Sequence, residues 1–435
     1  MIPSYQPGKK VGLALSGGGY RAAAFHLGTL KKLHEMGILE KVDVVSTISG
    51  GSIAGAFYCS WVGDFDSFYD EFYKGLQSKN VIRNILLSWL GLRLLVFVLL
   101  FAGSFYFLFT SSPWLFPVII TTLLILFLKF QFQFFPVSKR IEEIYDQFFY
   151  NKKTLDQLPK HPELVIGSTN LQTARLFSFT RDRMQDSTYE FLDDPVRFKT
   201  AGFPLSRAVM ASSCVPFAFT PVTINKEFFE DQKEAERYHP MLVDGGVYDN
   251  QGIHKIIQQG RYNCDYVITS DAGSGSSGEL RYRNTFALLM ETVNVFMSRI
   301  KKAQMVRNVY DNAGTVNKEI AYFSLGWDVE NCIPGFIKNL GRKQITQAVI
   351  VAHQLKAEWI AHPIKYEAEI KAHLQERTGY AILSKPSDDE KLIARNVSTN
   401  LTSLSKQKVD CLIKQAEALT ELQVKLYCPS LLNAI

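Results

Sequence analysis

Val11-Gly12-Leu13-Ala14-Leu15-Ser16-Gly17-Gly18-Gly19-Tyr20-Arg21 is the stretch whose reading decides the fold. The apolar run Val11 to Leu15 stops at a glycine triplet, and Tyr20 to Met36 then carries Ala24, Leu27, Leu30 and Leu33 at helical spacing. This is strand, tight turn, helix. The same unit returns at once: Val42 to Ile48 is mostly β-branched and apolar, Ser49-Gly50-Gly51 turns the chain, and Ser52 to Val62 is small and apolar, as a buried helix would be. Two successive units predict an α/β fold, a mostly parallel central sheet with helices on both faces.

Further strands are expected at Glu163 to Ile166, Leu176 to Thr180, Met241 to Val243, Tyr266 to Thr269 and Ile320 to Leu325. Helices are expected over Leu205 to Ser213, Phe286 to Asn308, Lys343 to Ala361, Tyr366 to Gln375 and Lys406 to Leu426, the last amphipathic and suited to packing on the core. Ser384 to Glu390, which includes Pro386, reads as a connection.

One segment is foreign to this plan. Leu94 to Leu128 is 35 residues without a charge, which as one helix would run about 52 Å against a hydrocarbon thickness of about 30 Å. Ser111-Ser112-Pro113 breaks it near the middle, so two antiparallel helices are expected at 86–110 and 114–135, with Arg93 and Lys129 snorkelling toward headgroups. Lys79, Arg83 and Arg93 precede the pair, Lys129, Lys139 and Arg140 follow it, and the tip is uncharged. By the positive-inside tendency both ends, and the body they join, face the cytoplasm. The alternative is a buried helical pair in a soluble protein. The expected organisation is therefore 1–83 and 137–330 as two parts of one catalytic domain, 84–136 as a membrane hairpin meeting the bilayer through 85–135, and 331–435 as a helical C-terminal region.

The chain has 435 residues, 47% hydrophobic and 21% charged, which is the composition of a globular enzyme. The net charge of +6 is spread without a dense Lys/Arg cluster, so no nucleic-acid partner is expected. Cysteines 59, 214, 264, 332, 411 and 428 show no CxxC spacing, and neither a zinc site nor a disulfide framework is indicated. Met1 to Lys10 holds no apolar stretch of export-signal length, so reduced thiols are expected and the sequons at Asn396 and Asn400 read as chance matches.

The glycine turns are where chemistry concentrates. Ser49 stands between a buried strand and a small-residue helix, the position that exposes a nucleophilic hydroxyl on a sharp turn; the competing reading is a simple helix start. Thr47 stands where that motif commonly has glycine. Gly17, Gly18 and Gly19 offer backbone N–H groups near the positive end of a helix, and losing one such oxyanion donor costs about 2.7 to 4 kcal/mol of barrier. A phosphate cradle of the GK[ST] kind is excluded because no lysine follows. Arg21 is suited to bracing the glycine loop or meeting an anion, or is a surface arginine of the first turn. Asp244, ahead of Gly245-Gly246, is a strand-end carboxylate that can take a serine proton directly when burial raises its pKa, or else a turn-forming aspartate. His254 and Asp271 are weaker candidates, the first for a Ser, Asp, His chain order, the second as another strand-end carboxylate.

With Gly17-Gly18-Gly19-Tyr20-Arg21-Ala22 and Gly28, Ser49-Gly50-Gly51-Ser52, Ala211-Ser212-Ser213-Cys214-Val215-Pro216, Phe219-Thr220-Pro221-Val222 and Asp244-Gly245-Gly246, the chain resembles the patatin-like phospholipases over roughly residues 10–275. The resemblance implies a three-layer patatin-like fold and a metal-free, cofactor-free Ser-Asp dyad: Ser49 as nucleophile, Asp244 as base, Gly17 to Gly19 as oxyanion hole. The implied activity is a serine lipid acyl hydrolase, of phospholipase A or lysophospholipase type, cleaving membrane glycerolipids. The alternative is a membrane-anchored scaffold or lipid-binding protein that keeps the fold without turnover.

Overall fold

The computed structural model describes residues 8–275, 284–312 and 318–432; residues 1–7, most of the stretch read for an export signal, lie outside it. Among the described residues, nine strands form one sheet: β1 (Val11–Leu15), β2 (Val42–Ile48), β3 (Glu163–Asn170), β4 (Arg175–Phe179), β5 (Met184–Asp186), β6 (Val222–Thr223), β7 (Met241–Asp244), β8 (Tyr266–Asp271) and β9 (Glu319–Ser324). The central run β3-β2-β1-β8-β9 is parallel throughout, and β4 and β5 extend it antiparallel at one edge.

Side chains alternate across this sheet as its pleat requires. On β1, Val11, Leu13 and Leu15 join the large core, while Ala14 faces a smaller one with Val44, Val165 and Val267. The large face is covered by α1 (Gly19–Glu35), α2 (Gly50–Ser60) and the long helix Lys406–Tyr427, which lies on α1 and β9. Lys31 pairs with Glu417 at 2.5 Å and Lys32 with Glu421 at 3.2 Å along that helix seam. The thin face carries the short turns around Gly246–Asp249 and His254–Ile257, with Tyr262, Cys264 and Val309 packed beside them. The C-terminal region therefore belongs to the same core as the N-terminal units.

Lys343 to Ala361 is not one helix. It is Gln347–Ala352 and Ala357–Ala361, separated by a turn in which Gln354 takes φ 55°. His353 is buried there with its ring on the carbonyl of Leu426 at 2.8 Å, a tertiary contact that local helical spacing does not encode.

The apolar insert forms two helices, Trp89–Ser104 and Leu115–Phe134, joined through a 3-10 turn at Phe105–Phe109. The first starts later than its apolar composition suggests, because the Ser88 hydroxyl accepts from the Leu90 N–H at 3.2 Å and opens a new helix there. Phe97 meets Phe127 and Phe105 meets Phe116 between the two, with ring centroids 5.5 and 4.9 Å apart. Taken with the 3-10 turn as Trp89–Phe109, the first segment is, like the second, long and apolar enough to cross a membrane, and the side chains of both are exposed rather than packed in the core; Phe109 near the tip is 87% exposed.

Candidate active site

Strand β3 brings the motifs together. Along one edge it pairs with β2 in parallel up to Ile48 opposite Gly167, and from the next residue onward with β7 running the other way, Asp244 opposite Ser168. The C-terminal ends of β2 and β7 therefore meet head to head on the same edge. Asp244 closes an antiparallel strand, so the three motif strands do not share a direction.

Ser49, one residue past β2, holds φ 50° and ψ −118°, a conformation that L side chains rarely adopt. Packing fixes it. The Ser49 N–H donates to the Ser212 hydroxyl at 2.9 Å, and that hydroxyl donates to the Gly167 carbonyl at 2.6 Å. Next to it, a Cβ on Gly50 would stand 2.2 Å from the Gly19 carbonyl oxygen, so the two glycine turns lie backbone against backbone. A Cβ on Gly17 would lie 3.1 Å from Ser49 Cβ, which puts the first turn beside the serine. Thr47 is fully buried and its bulk is taken up one turn into α2, where a Cβ on Gly55 would come within 2.5 Å of Thr47 Cγ2.

The Asp244 carboxyl is buried and faces Ser49. Burial pushes its pKa up to about 6, against the opposing pull of donors from the Gly246 N–H and the Ser49 side chain. The Gly246 N–H reaches Asp244 Oδ1 at 2.7 Å. Its backbone is locked as well, with the Asp244 N–H on the Cys214 carbonyl at 2.7 Å and the Gly245 N–H on that of Ser212 at 3.0 Å. The Ala211 to Pro216 segment thus holds both Ser49 and Asp244.

The glycine triplet divides its donors. The Gly17 N–H is spent on the Asn250 carbonyl at 3.0 Å. Gly18 and Gly19 precede the first intrahelical bond of α1, made by the Ala22 N–H to the Gly18 carbonyl at 3.2 Å, so their own N–H groups have no acceptor within the helix. Tyr20 N–H donates to the Asn400 carbonyl at 2.9 Å and Arg21 Nη1 to that of Val397 at 3.3 Å, so the C-terminal region braces the loop. Burial lowers the Arg21 pKa and Asp271 opposes that shift; Arg21 Nε is buried without an acceptor among the described residues.

The weaker candidates have other work. Asp271 is buried against Lys301 and accepts from Tyr322 at 2.5 Å and from the Gly273 N–H at 2.9 Å. Burial pushes its carboxyl up, but these donors outweigh burial and hold it below the usual value. The His254 ring lies edge-on to Tyr248 and within 3.3 Å of Gln258 Nε2, and burial together with Lys255, Arg307 and Arg175 pushes it down to about 4. Ser212 and Asn250 were given no role by the sequence, although Ser212 stood in a recognised motif.

A buried serine on a strained turn, a buried carboxylate facing it, and two backbone N–H groups without an acceptor inside their helix lie together at the ends of β2, β7 and β1. Residues 13–256 match the patatin-like phospholipase model, more than half of the chain, and the chain belongs to that family. Over 53 residues the chain is 49% identical to neuropathy target esterase of Drosophila melanogaster, a stretch amounting to 12% of this chain and 4% of that protein. With the Drosophila persimilis protein it is 47% identical over 53 residues, again 12% of this chain and 4% of that protein. Among solved structures, human GIVD cytosolic phospholipase A2 aligns with a TM-score of 0.47 at 12% identity, covering 97% of this chain and 60% of that one. VipD from Legionella pneumophila aligns with a TM-score of 0.32 at 14% identity, covering 97% and 86%.

Proposed function

We propose that the chain is a carboxylic ester hydrolase of phospholipase A or lysophospholipase type that releases fatty acid from membrane glycerolipids through Ser49 and Asp244. The observation that carries this is the head-to-head meeting of β2 and β7 on one edge of β3, which sets the serine and the carboxylate opposite each other. Asp244 takes the hydroxyl proton as Ser49 Oγ attacks the ester carbonyl, and the N–H groups of Gly18 and Gly19 receive the oxyanion. Asp244 then returns the proton to the departing alcohol, leaving an acyl-serine. Water, deprotonated by the same carboxylate, attacks the acyl carbon, the bond to Ser49 Oγ breaks with release of the fatty acid, and Asp244 returns the proton to Ser49 Oγ. A carboxyl raised to about 6 is ionised at neutral pH yet more basic than an ordinary aspartate, which suits both transfers.

The hairpin supplies the setting. Two exposed apolar helices are stable in hydrocarbon and not in water, so the 85–135 segment inserts in the bilayer and the body works at its cytoplasmic surface. Tethering replaces a search for substrate by a high effective concentration. Lipid profiling of mixed-lipid vesicles with wild-type and Ser49→Ala protein tests the reading. Loss of free fatty acid and lysolipid in the variant is expected, and equal release by both would refute it.

A further inference from the structure

We infer that the cleft at the foot of the hairpin binds the phosphate of an anionic phospholipid that is not the substrate. This rests on the reading of the hairpin as inserted in a bilayer. The cleft encloses about 270 Å³ and is lined by Trp89, Arg93, Pro136, Lys139, Arg140 and Glu143. Arg93 comes from the first turns of the first apolar helix, and Lys139 and Arg140 from the helix Val137–Tyr145 that follows the second. Three cations thus converge from two elements on a space with one carboxylate.

That carboxylate is engaged. Glu143 is held by Arg140 Nη1 at 2.8 Å, while Arg140 Nε is buried with no acceptor among the described residues. Arg93 reaches across to the Phe134 carbonyl at 3.3 Å, which ties the two ends of the hairpin together and keeps its charge beside the cleft. Lys139 is exposed, and the field of Glu142 reaches it through space.

Depth identifies the ligand. The uncharged spans begin just after Arg93 and the second apolar helix ends at Phe134, so the cleft sits where hydrocarbon gives way to headgroups. Trp89, 68% exposed, is the residue type that settles at that level. Two guanidinium groups and an ammonium suit a phosphate, and their excess over Glu143 and the neighbouring Glu142 favours a lipid with net negative charge over a zwitterionic one. The cleft is also wired to the centre of chemistry: the Ser138 hydroxyl donates to the Thr220 carbonyl, and Tyr145 Oη lies 3.4 Å from Ser213 Oγ, beside the Ser212 that receives the Ser49 N–H. A lipid held at the foot sets the tilt of the body over the membrane.

The test uses the full chain in phosphatidylcholine nanodiscs containing a minor fraction of phosphatidylglycerol. Lipid that stays on the protein after detergent extraction should be enriched in phosphatidylglycerol. Trp89 fluorescence, taken as the difference from Trp89→Phe, should be quenched more by brominated phosphatidylglycerol than by brominated phosphatidylcholine. Arg93→Gln and Lys139→Gln should each reduce the enrichment about five-fold, with fluorophosphonate labelling of Ser49 unchanged as proof of folding. Equal enrichment in wild type and double variant would overturn the site. Loss of the preference when excess inorganic phosphate is added would assign it to free phosphate instead. Failure of the hairpin reading shows itself separately, as release of the protein by sodium carbonate.

Discussion

Replacing Asp244 by asparagine should stabilise the protein while abolishing its activity. The carboxyl is held at about 6 rather than the usual 3.8 because burial penalises its charged form. A group whose pKa is raised by folding binds more protons in the native state than in the unfolded chain between those two values, so stability falls as pH rises from about 4 to 6 and stays lower above it. That interval is worth about 3 kcal/mol at about 1.4 kcal/mol per pH unit. Asparagine keeps the Oδ1 acceptor for the Gly246 N–H and escapes the penalty. For 435 residues the unfolding entropy is about 0.9 kcal/mol per degree, so the gain at pH 8 corresponds to about 3 °C in the unfolding midpoint. Melting curves of wild type and Asp244→Asn in detergent from pH 4 to pH 8 read this directly. The increment should grow from near zero at the acid end to its full size above pH 6. A variant no more stable than wild type at pH 8, or an increment that does not fade in acid, would contradict a burial penalty on the Asp244 carboxylate.

The same group should set the acid limb of catalysis, with kcat/KM at pH 5 about tenfold below its value at pH 7. Asp249, also raised to about 6 by burial, accepts from the N–H groups of His254 and Gln251, so Asp249→Asn should leave that limb in place. Gly50→Ala forces a Cβ to 2.2 Å from the Gly19 carbonyl oxygen, and should cost about 3 kcal/mol of stability, with loss of fluorophosphonate labelling. Replacing residues 90–133 by a short Gly/Ser linker should move the protein from the membrane pellet to the supernatant. Labelling of Ser49 should persist, and turnover of dilute vesicles should drop at least about 100-fold.

How much of this could be read in advance follows from where the information lies. Both strand-turn-helix units and the apolar hairpin are local patterns, and Val11 to Gly19, Val42 to Gly51 and Leu94 to Leu128 state them outright. The direction of β7 is not local: Met241 to Asp244 has the same composition parallel or antiparallel, and only its pairing with Ser168 to Asn170 decides. The supports of the site are equally long-range. Ser212 reaches Ser49 from 163 positions away. The engagement of the Gly17 N–H by Asn250, and of the glycine loop by Val397 and Asn400, depends on chain returns that no motif announces. Strands β5 and β6, of three and two residues, are too short to carry a period.

In the proposed reaction the Ser49 hydroxyl, activated by Asp244, is the group that attacks the lipid ester. Mapping the covalent adduct of a fluorophosphonate lipid analogue by peptide mass spectrometry measures this at the atom concerned. One adduct is expected, on Ser49, formed at a rate that falls below pH 6 and lost in Ser49→Ala. An adduct on another serine, or undiminished labelling of Ser49→Ala, would contradict it.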